Sequence, residues 1–334
     1  MCSKTRFLGI ATALTLLVAL LTVAAMPVQV GADGQIEVVK QYDASKGELP
    51  EGIAVDKVGN LYVSLGPPGV TFAQIRKISP DGSETVLAEF GDSGAGGLAV
   101  DAPGNVYYAH FSFNPDTQGV YRVTRDGATE RLPGTEEMLF PNALAFDKVG
   151  NLYVSDSWLG AIWRIPRGGS AELWLQHDLL EGKGGIPEYP PIGANGIAYR
   201  HGSLYVANTE KGLIARVPIL TGGDAGDPQV VAEDPDPITG LYGLDGIALD
   251  VHGNIYAALV LQSKLVRIDP VDGEFTTLLT AADGLDEPAS LAFGTGKGDR
   301  QSVFITNYAL FPPHSEEGPA VLKVDVGVPG LPLP

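Results

Sequence analysis

The chain has 334 residues, with 40 Asp and Glu against 22 Lys and Arg and a formal net charge of −18 at pH 7. Such an excess of acid repels phosphate backbones, so nucleic acid is excluded as a partner and a cation suits the surface better. A single cysteine, Cys2, excludes an internal disulfide, and the 43 Gly and 25 Pro accompany regular hydrophobic periods, which points to many tight turns rather than disorder.

In chain order, Lys4 and Arg6 precede an uncharged apolar stretch at residues 7–25, and small residues follow. This is the form of an export signal, with Ala25 and Ala32 as candidate cleavage points. The stretch is also about as long as the roughly 20 residues that span a bilayer, so an uncleaved anchor is the alternative and the only membrane contact expected. Residues 1–32 are therefore read as signal or anchor, residues 33–326 as one domain and residues 327–334 as a Gly/Pro-rich tail. A secreted, periplasmic or cell-surface monomer is expected.

Residues 36–42 read as a strand with no neighbour in sequence to pair with. Then one phrase returns six times: Glu51-Gly52-Ile53-Ala54-Val55-Asp56, Gly96-Gly97-Leu98-Ala99-Val100-Asp101, Asn142-Ala143-Leu144-Ala145-Phe146-Asp147, Asn195-Gly196-Ile197-Ala198-Tyr199, Asp245-Gly246-Ile247-Ala248-Leu249-Asp250 and Ala289-Ser290-Leu291-Ala292-Phe293. A period of about 45 to 50 residues with several short strands per unit is the mark of a propeller. In the first unit, strands are expected at 52–55, 61–65, 73–78 and 84–90, with turns at Gly59-Asn60 and Pro80-Asp81-Gly82. After Ala320-Val321-Leu322-Lys323-Val324-Asp325 no fourth strand follows, so the strand at 36–42 is expected to complete the sixth blade and close the ring. The fold class is all-β: a six-bladed β-propeller of four-stranded blades, the sixth closed by an N-terminal strand.

The residue that opens each phrase varies in chemistry. Innermost strands run along one channel, so Glu51, Asn142, Asn195 and Asp245 should converge at one mouth. Two carboxylates and two amides form an oxygen-rich set suited to a hard divalent cation. Calcium is the first expectation, with zinc, manganese or magnesium by exchange. Of the five histidines, His110 ends the second strand of the second unit and is the one assigned to the mouth, as a substrate contact. No Gly-x-Ser-x-Gly or His/Cys metal spacing appears. The inserts at residues 179–193, 221–244 and 311–318 are expected to lie over the mouth as a lid.

With this ordered quartet, seen as Pro50-Glu51-Gly52, Pro141-Asn142-Ala143, Ala194-Asn195-Gly196 and Leu244-Asp245-Gly246, the chain resembles the SMP-30/gluconolactonase/LRE-like six-bladed propellers. Tyr153-Val154-Ser155-Asp156 is similar to the second-strand motif that follows the Asn142 position in that family, while the repeat phrases themselves are shared with NHL-type propellers. The resemblance implies a metal-dependent lactonase, a carboxylic ester hydrolase, with Glu51, Asn195 and Asp245 as ligands and Asn142 beside metal and substrate. It makes Asp245 the candidate general base, with Glu51 the second choice. Members that act on sugar lactones tend to carry Arg and Asp where this chain has Phe140 and Ala143, so a more hydrophobic lactone or ester is expected, with Phe140, Trp158, Phe111, Phe113 and Tyr189 at the rim. The alternative reading is a non-catalytic secreted propeller that binds a protein or glycan, any calcium being structural. A strictosidine-synthase-like activity is disfavoured because Pro288-Ala289-Ser290 opens the last phrase without an acid.

Overall fold

The structure is a computed structural model that describes residues 35–67, 70–92, 94, 96–186 and 190–333; residues 1–32, where a signal or anchor is expected, and Tyr189 lie outside the described residues. Among these residues six four-stranded antiparallel sheets form the blades of the expected propeller. The first blade runs Pro50–Val55, Leu61–Leu65, Ala73–Ile78 and Glu84–Phe90 from the inside outward. The sixth runs Pro288–Phe293, Ser302–Asn307 and Ala320–Asp325, and Glu37–Gln41 pairs with the last of these to complete it.

The repeated phrase has a local mechanical meaning beyond its turn. The carboxylate of Asp56 accepts from Asn60 N at 2.9 Å, from Asn60 Nδ2 at 2.6 Å and from Tyr62 Oη at 3.2 Å. The same clasp joins Asp101 to Asn105 and Tyr107, and Asp147 to Asn151 and Tyr153. Asp250 and Asn254 form it in the fifth blade. An Asp side chain that satisfies the backbone of its own turn supports the hairpin without a tertiary partner.

Packing between blades supplies the core. Each hydrophobic cluster spans two neighbours: Ala54, Tyr62 and Ile75 of the first blade meet Leu98, Val106 and Tyr108 of the second. Phe304 and Val321 of the sixth meet Ile53, Val63 and Leu65 of the first. No blade owns a core, so each depends on both neighbours, and the ring is stable only as a whole.

The insert reading is corrected at one place. Residues 221–244 are not a plain loop, because Gln229–Glu233 is the outermost strand of the fourth blade. The tail also has more structure than its Gly/Pro content implied, since Gly330 bridges to Asp250.

Removing residues 35–41 leaves the Ala320–Asp325 edge unpaired and one side of the first interblade cluster open. The expected result is a thermal midpoint lower by on the order of 10 °C in a single transition, read by scanning calorimetry against a chain beginning at Gln35. An unchanged midpoint would mean that the closing strand contributes nothing to the ring.

Candidate metal centre and cavity

Five of the six inner strands slip register between their first and fourth residues: at Pro50/Ile53, Pro141/Leu144, Ala194/Ile197, Leu244/Ile247 and Pro288/Leu291. The opening residues of the phrases lie in these irregularities, where the ladder releases a side chain to be re-aimed. Glycine follows because the next blade is too close for a side chain. A Cβ on Gly52 would stand 2.2 Å from Gly96 O, and one on Gly196 would stand 2.2 Å from Asp245 O.

The bulged residues are tied down by hydroxyls. Asn142 Nδ2 donates to Ser157 Oγ at 3.0 Å, and Ser157 Oγ donates to Ala194 O at 2.7 Å in the next blade. Asn195 Nδ2 donates to Thr209 Oγ1 at 3.0 Å, which donates to Leu244 O at 2.7 Å. At the closure, Thr306 Oγ1 donates to Glu51 O at 2.6 Å. Each bond hands one blade's position to the next, so the sites are set by the ring rather than by one strand.

Glu51, Asn142, Asn195 and Asp245 do meet, at the floor of one cavity. Asn142 and Asn195 are buried, and Glu51 and Asp245 are half-buried. Burial pushes Asp245 up to about 7, only partly offset by a hydrogen bond from Asn195. Burial, and then the nearby Asp245 charge, hold Glu51 well above the usual carboxylate range. Among the described residues lining the cavity there is no Lys, Arg or His. Glu51 Oε2 and Asn195 Oδ1 are buried without a hydrogen-bond partner. Two oxygens left in that state are costly in a protein interior and are what a cation would satisfy. The donor set therefore fits a hard divalent ion held by Glu51, Asn195 and Asp245. The set needs an amide oxygen, since among the described residues no group of three or more His, Cys, Asp and Glu is placed to hold a metal.

Above this floor the walls are apolar. Phe140 stacks on Phe111 with ring centroids 3.9 Å apart, Phe113 packs at 4.3 Å from Phe111, and the edge of Trp158 meets Phe111 at 5.0 Å. Asp156, fully buried, accepts from Leu139 N at 2.8 Å and Phe140 N at 2.9 Å, so the Tyr153-Val154-Ser155-Asp156 segment serves to hold Phe140 in this wall. Ile186 and Ile192 of the first insert and Phe311 of the third line the cavity, whereas no described residue of the second insert, 221–244, does, so that part of the lid expectation is corrected. Glu210 fastens the first insert by accepting from Lys183 N, Gly184 N and Ile192 N.

His110 stands elsewhere. Its side chain is fully buried, with the ring stacked on Phe90 at 5.0 Å, Nε2 3.0 Å from Asp92 Oδ1 and Nδ1 3.2 Å from Tyr108 Oη. It shares a strand face with Val106 and Tyr108, toward the first blade, and it does not line the cavity. Burial lowers its pKa, which keeps the ring neutral.

Glu287 and Tyr308 line the cavity and escaped the sequence reading. Glu287 lies just ahead of Pro288-Ala289-Ser290, where the phrase itself holds no acid; its Oε2 accepts from Leu310 N and Phe311 N at 2.6 and 2.9 Å. Tyr308 follows the second strand of its blade, the place that Ser157 and Thr209 take in theirs, and that equivalence was the available signal.

No curated protein shows significant sequence similarity to the chain. Solved structures share its fold. A gluconolactonase of Xanthomonas campestris is 19% identical, with a TM-score of 0.61 over 89% of this chain and 89% of that one. The calcium-binding protein regucalcin of Agrobacterium tumefaciens is 19% identical, with a TM-score of 0.64 over 88% and 96%. Virginiamycin B lyase of Staphylococcus aureus is 15% identical, with a TM-score of 0.53 over 87% and 99%. At these identities the likeness is one of fold. In sequence, residues 191–308, which include Asn195, Asp245 and Tyr308, match the model of the SMP-30/Gluconolactonase/LRE-like region.

Proposed function

We propose that the protein is an exported metal-dependent hydrolase that opens a lactone or cleaves a related ester at the floor of the propeller cavity. The observation that carries this reading is the pair of half-buried carboxylates, Glu51 and Asp245, with no protein cation beside them in the cavity, and two oxygens, Glu51 Oε2 and Asn195 Oδ1, left without partners. A structural neighbour described as calcium-binding supports calcium as the first choice of ion. A bound divalent cation supplies Lewis acidity for a carbonyl oxygen and acidity for water.

The protein's own groups account for the rest. The aromatic wall of Phe111, Phe140 and Trp158 binds the apolar part of the substrate and excludes water, while Asn142 stands beside the reacting group. Asp245 takes the proton of the attacking water as its oxygen adds to the carbonyl carbon. The ring or ester C–O bond then breaks, and that proton passes to the departing oxygen. Asp245 is the preferred base, the role that the family resemblance gives it, and Glu51 is the second choice; a bound cation would lower the pKa of either and keep it ionised.

Calorimetry should find one calcium ion per chain in the wild type and none in Asp245→Ala. Asp245→Asn should keep weakened calcium binding and lose turnover by a factor on the order of 100. Full turnover with the ion bound would remove Asp245 as the base.

The carboxylates also predict how the cation-free protein responds to pH. Asp245, raised from 3.8 to about 7, strains the fold only when it is ionised. That stability is complete below about pH 4 and is lost as the pH rises through about 7, by a few kcal/mol. Chelated protein should therefore melt at lower temperature at pH 8 than at pH 5, millimolar calcium should restore the loss, and Asp245→Asn should flatten the profile. Identical pH profiles for wild type and variant would show that no such strain exists.

An apolar wall binds a hydrocarbon substituent and gives no purchase to hydroxyls. Phenyl acetate or an alkyl-substituted lactone should be turned over at least about tenfold more efficiently than gluconolactone, and Phe140→Arg should narrow that ratio. A preference for gluconolactone in the wild type would overturn the apolar assignment.

A further inference from the structure

The end of the channel opposite the carboxylates is built from the most regular part of the repeat. Its bore is lined by one alanine from every blade: Ala54, Ala99, Ala145, Ala198, Ala248 and Ala292. Such a ring of small side chains leaves an apolar hole. In this protein the C-terminal segment lies at the hole: Leu331, Pro332 and Leu333 line the same cavity.

The path of that segment is specified bond by bond. Val326 N donates to Gln301 O at 2.8 Å, and Gln301 Nε2 donates to Gly327 O at 2.9 Å. Gly330 N donates to Arg300 O at 3.1 Å, which fastens the segment to the sixth blade. Val251 N donates to Pro329 O at 3.0 Å and Leu331 N donates to Leu249 O at 2.9 Å, which fastens it to the fifth. From there it crosses the opening, and Leu333 reaches the turns of the first and second blades beside Asp56 and Asp101. Gly330 is required by the fit, since a Cβ there would lie 2.2 Å from Cβ and 2.3 Å from Cγ of Phe293. Leu331 packs on the cluster shared by the fourth and fifth blades.

From these contacts we propose that this end of the channel is a binding site for a short, uncharged, extended peptide of Pro and Leu, and that the chain's own residues 329–333 occupy it as a stopper. The backbone bonds to Leu249 and Val251 add the peptide to the edge of the fifth blade's inner strand in the manner of strand addition, and the alanine ring accepts its apolar side chains. The stopper also ties the fifth blade to the sixth, a second latch beside the closing strand Glu37–Gln41.

The test is a chain ending at Val326, compared with the full chain. Fluorescence of the apolar dye anilinonaphthalene sulfonate should rise several-fold in the truncated protein. A synthetic peptide of residues 327–333, Gly-Val-Pro-Gly-Leu-Pro-Leu, should reverse the rise, whereas the same peptide with Leu331→Asp should not. The calcium stoichiometry at the opposite mouth should not change. A folded truncated protein with unchanged dye fluorescence and no response to the peptide would overturn the proposal. Hydrogen exchange on the intact chain gives a reading that does not depend on a variant folding: the amides of Gly330, Leu331 and Val251 should be protected as strongly as those of the inner strands, and exchange at loop rates would equally overturn it.

Discussion

Everything in this propeller follows from how closely six inner strands approach around one axis. At Gly52 and Gly196 the neighbouring backbone stands where a side chain would begin, so these strands are in backbone contact at the level of the cavity floor. Contact that close leaves no freedom to adjust one blade alone. Hydroxyls fill the same seam: Ser64 Oγ accepts from Gly52 N at 2.8 Å and donates to Gly96 O at 2.7 Å, linking the first and second blades through one atom. Ser157, Thr209 and Thr306 do the same around the ring. The position of any one floor residue is therefore determined by its neighbours on both sides, and the ring gives a small polar site the rigidity that a loop could not.

Rigidity is what makes the half-buried carboxylates informative. In a mobile site Glu51 and Asp245 would move apart or reach water. Here both are held at the cavity floor, and burial raises their pKa values, with the nearby Asp245 charge adding to the shift of Glu51. Two features of the walls reinforce this. The aromatic rings exclude water that would otherwise solvate the charges, and the wall's backbone amides are satisfied elsewhere, by Asp156, Glu210 and Glu287. Those three carboxylates act on loops rather than on ligand. Acidic side chains thus serve two different ends in one cavity: three fix its apolar walls by accepting from backbone amides, and two at the floor lack enough such partners and remain available to a cation.

The fold was legible because its signals are local. Turn pairs such as Gly59-Asn60, the alternation of strand residues and the recurrence of one phrase placed the first blade's strands within two residues of where they lie, and the missing last strand pointed to the closing one. The quartet on the floor was legible for the same reason, being one position of the phrase read across the blades. His110 was misread through parity: Val106, Tyr108 and His110 share one face of their strand, the face that packs on the first blade, while Phe111 next to it faces the cavity. The aliphatic wall came from inserts whose course depends on long-range bonds, such as those of Glu210 and Glu287, and no periodic pattern announces them. The clasp of Asp56, Asn60 and Tyr62 was visible as a spacing but passed for a bare turn signal. Residues 327–333 carry only Gly and Pro signals locally, and their role appears once the fifth and sixth blades are in place beside them.

The two ends of the channel explain why the phrase varies where it does. At one end the Ala of every phrase, and the Asp of the four phrases that carry it, are held by the ladder, the bore and the hairpin clasp, so substituting them disturbs pairing or packing in that blade and its neighbour. At the other end the opening residue of five phrases sits in a bulge, outside the ladder, whereas a Cβ on Gly96 in the second would stand 2.3 Å from Ala109 O. Glu51, Asn142, Asn195, Asp245 and Ala289 can thus differ in chemistry without breaking the ladder. Chemistry can therefore be set one blade at a time on a ring whose stability is written at the other end of the same six strands. The Gly that follows is excepted, because it belongs to the seam between blades: it is glycine at positions 52, 97, 196 and 246, and the two departures, Ala143 and Ser290, are small.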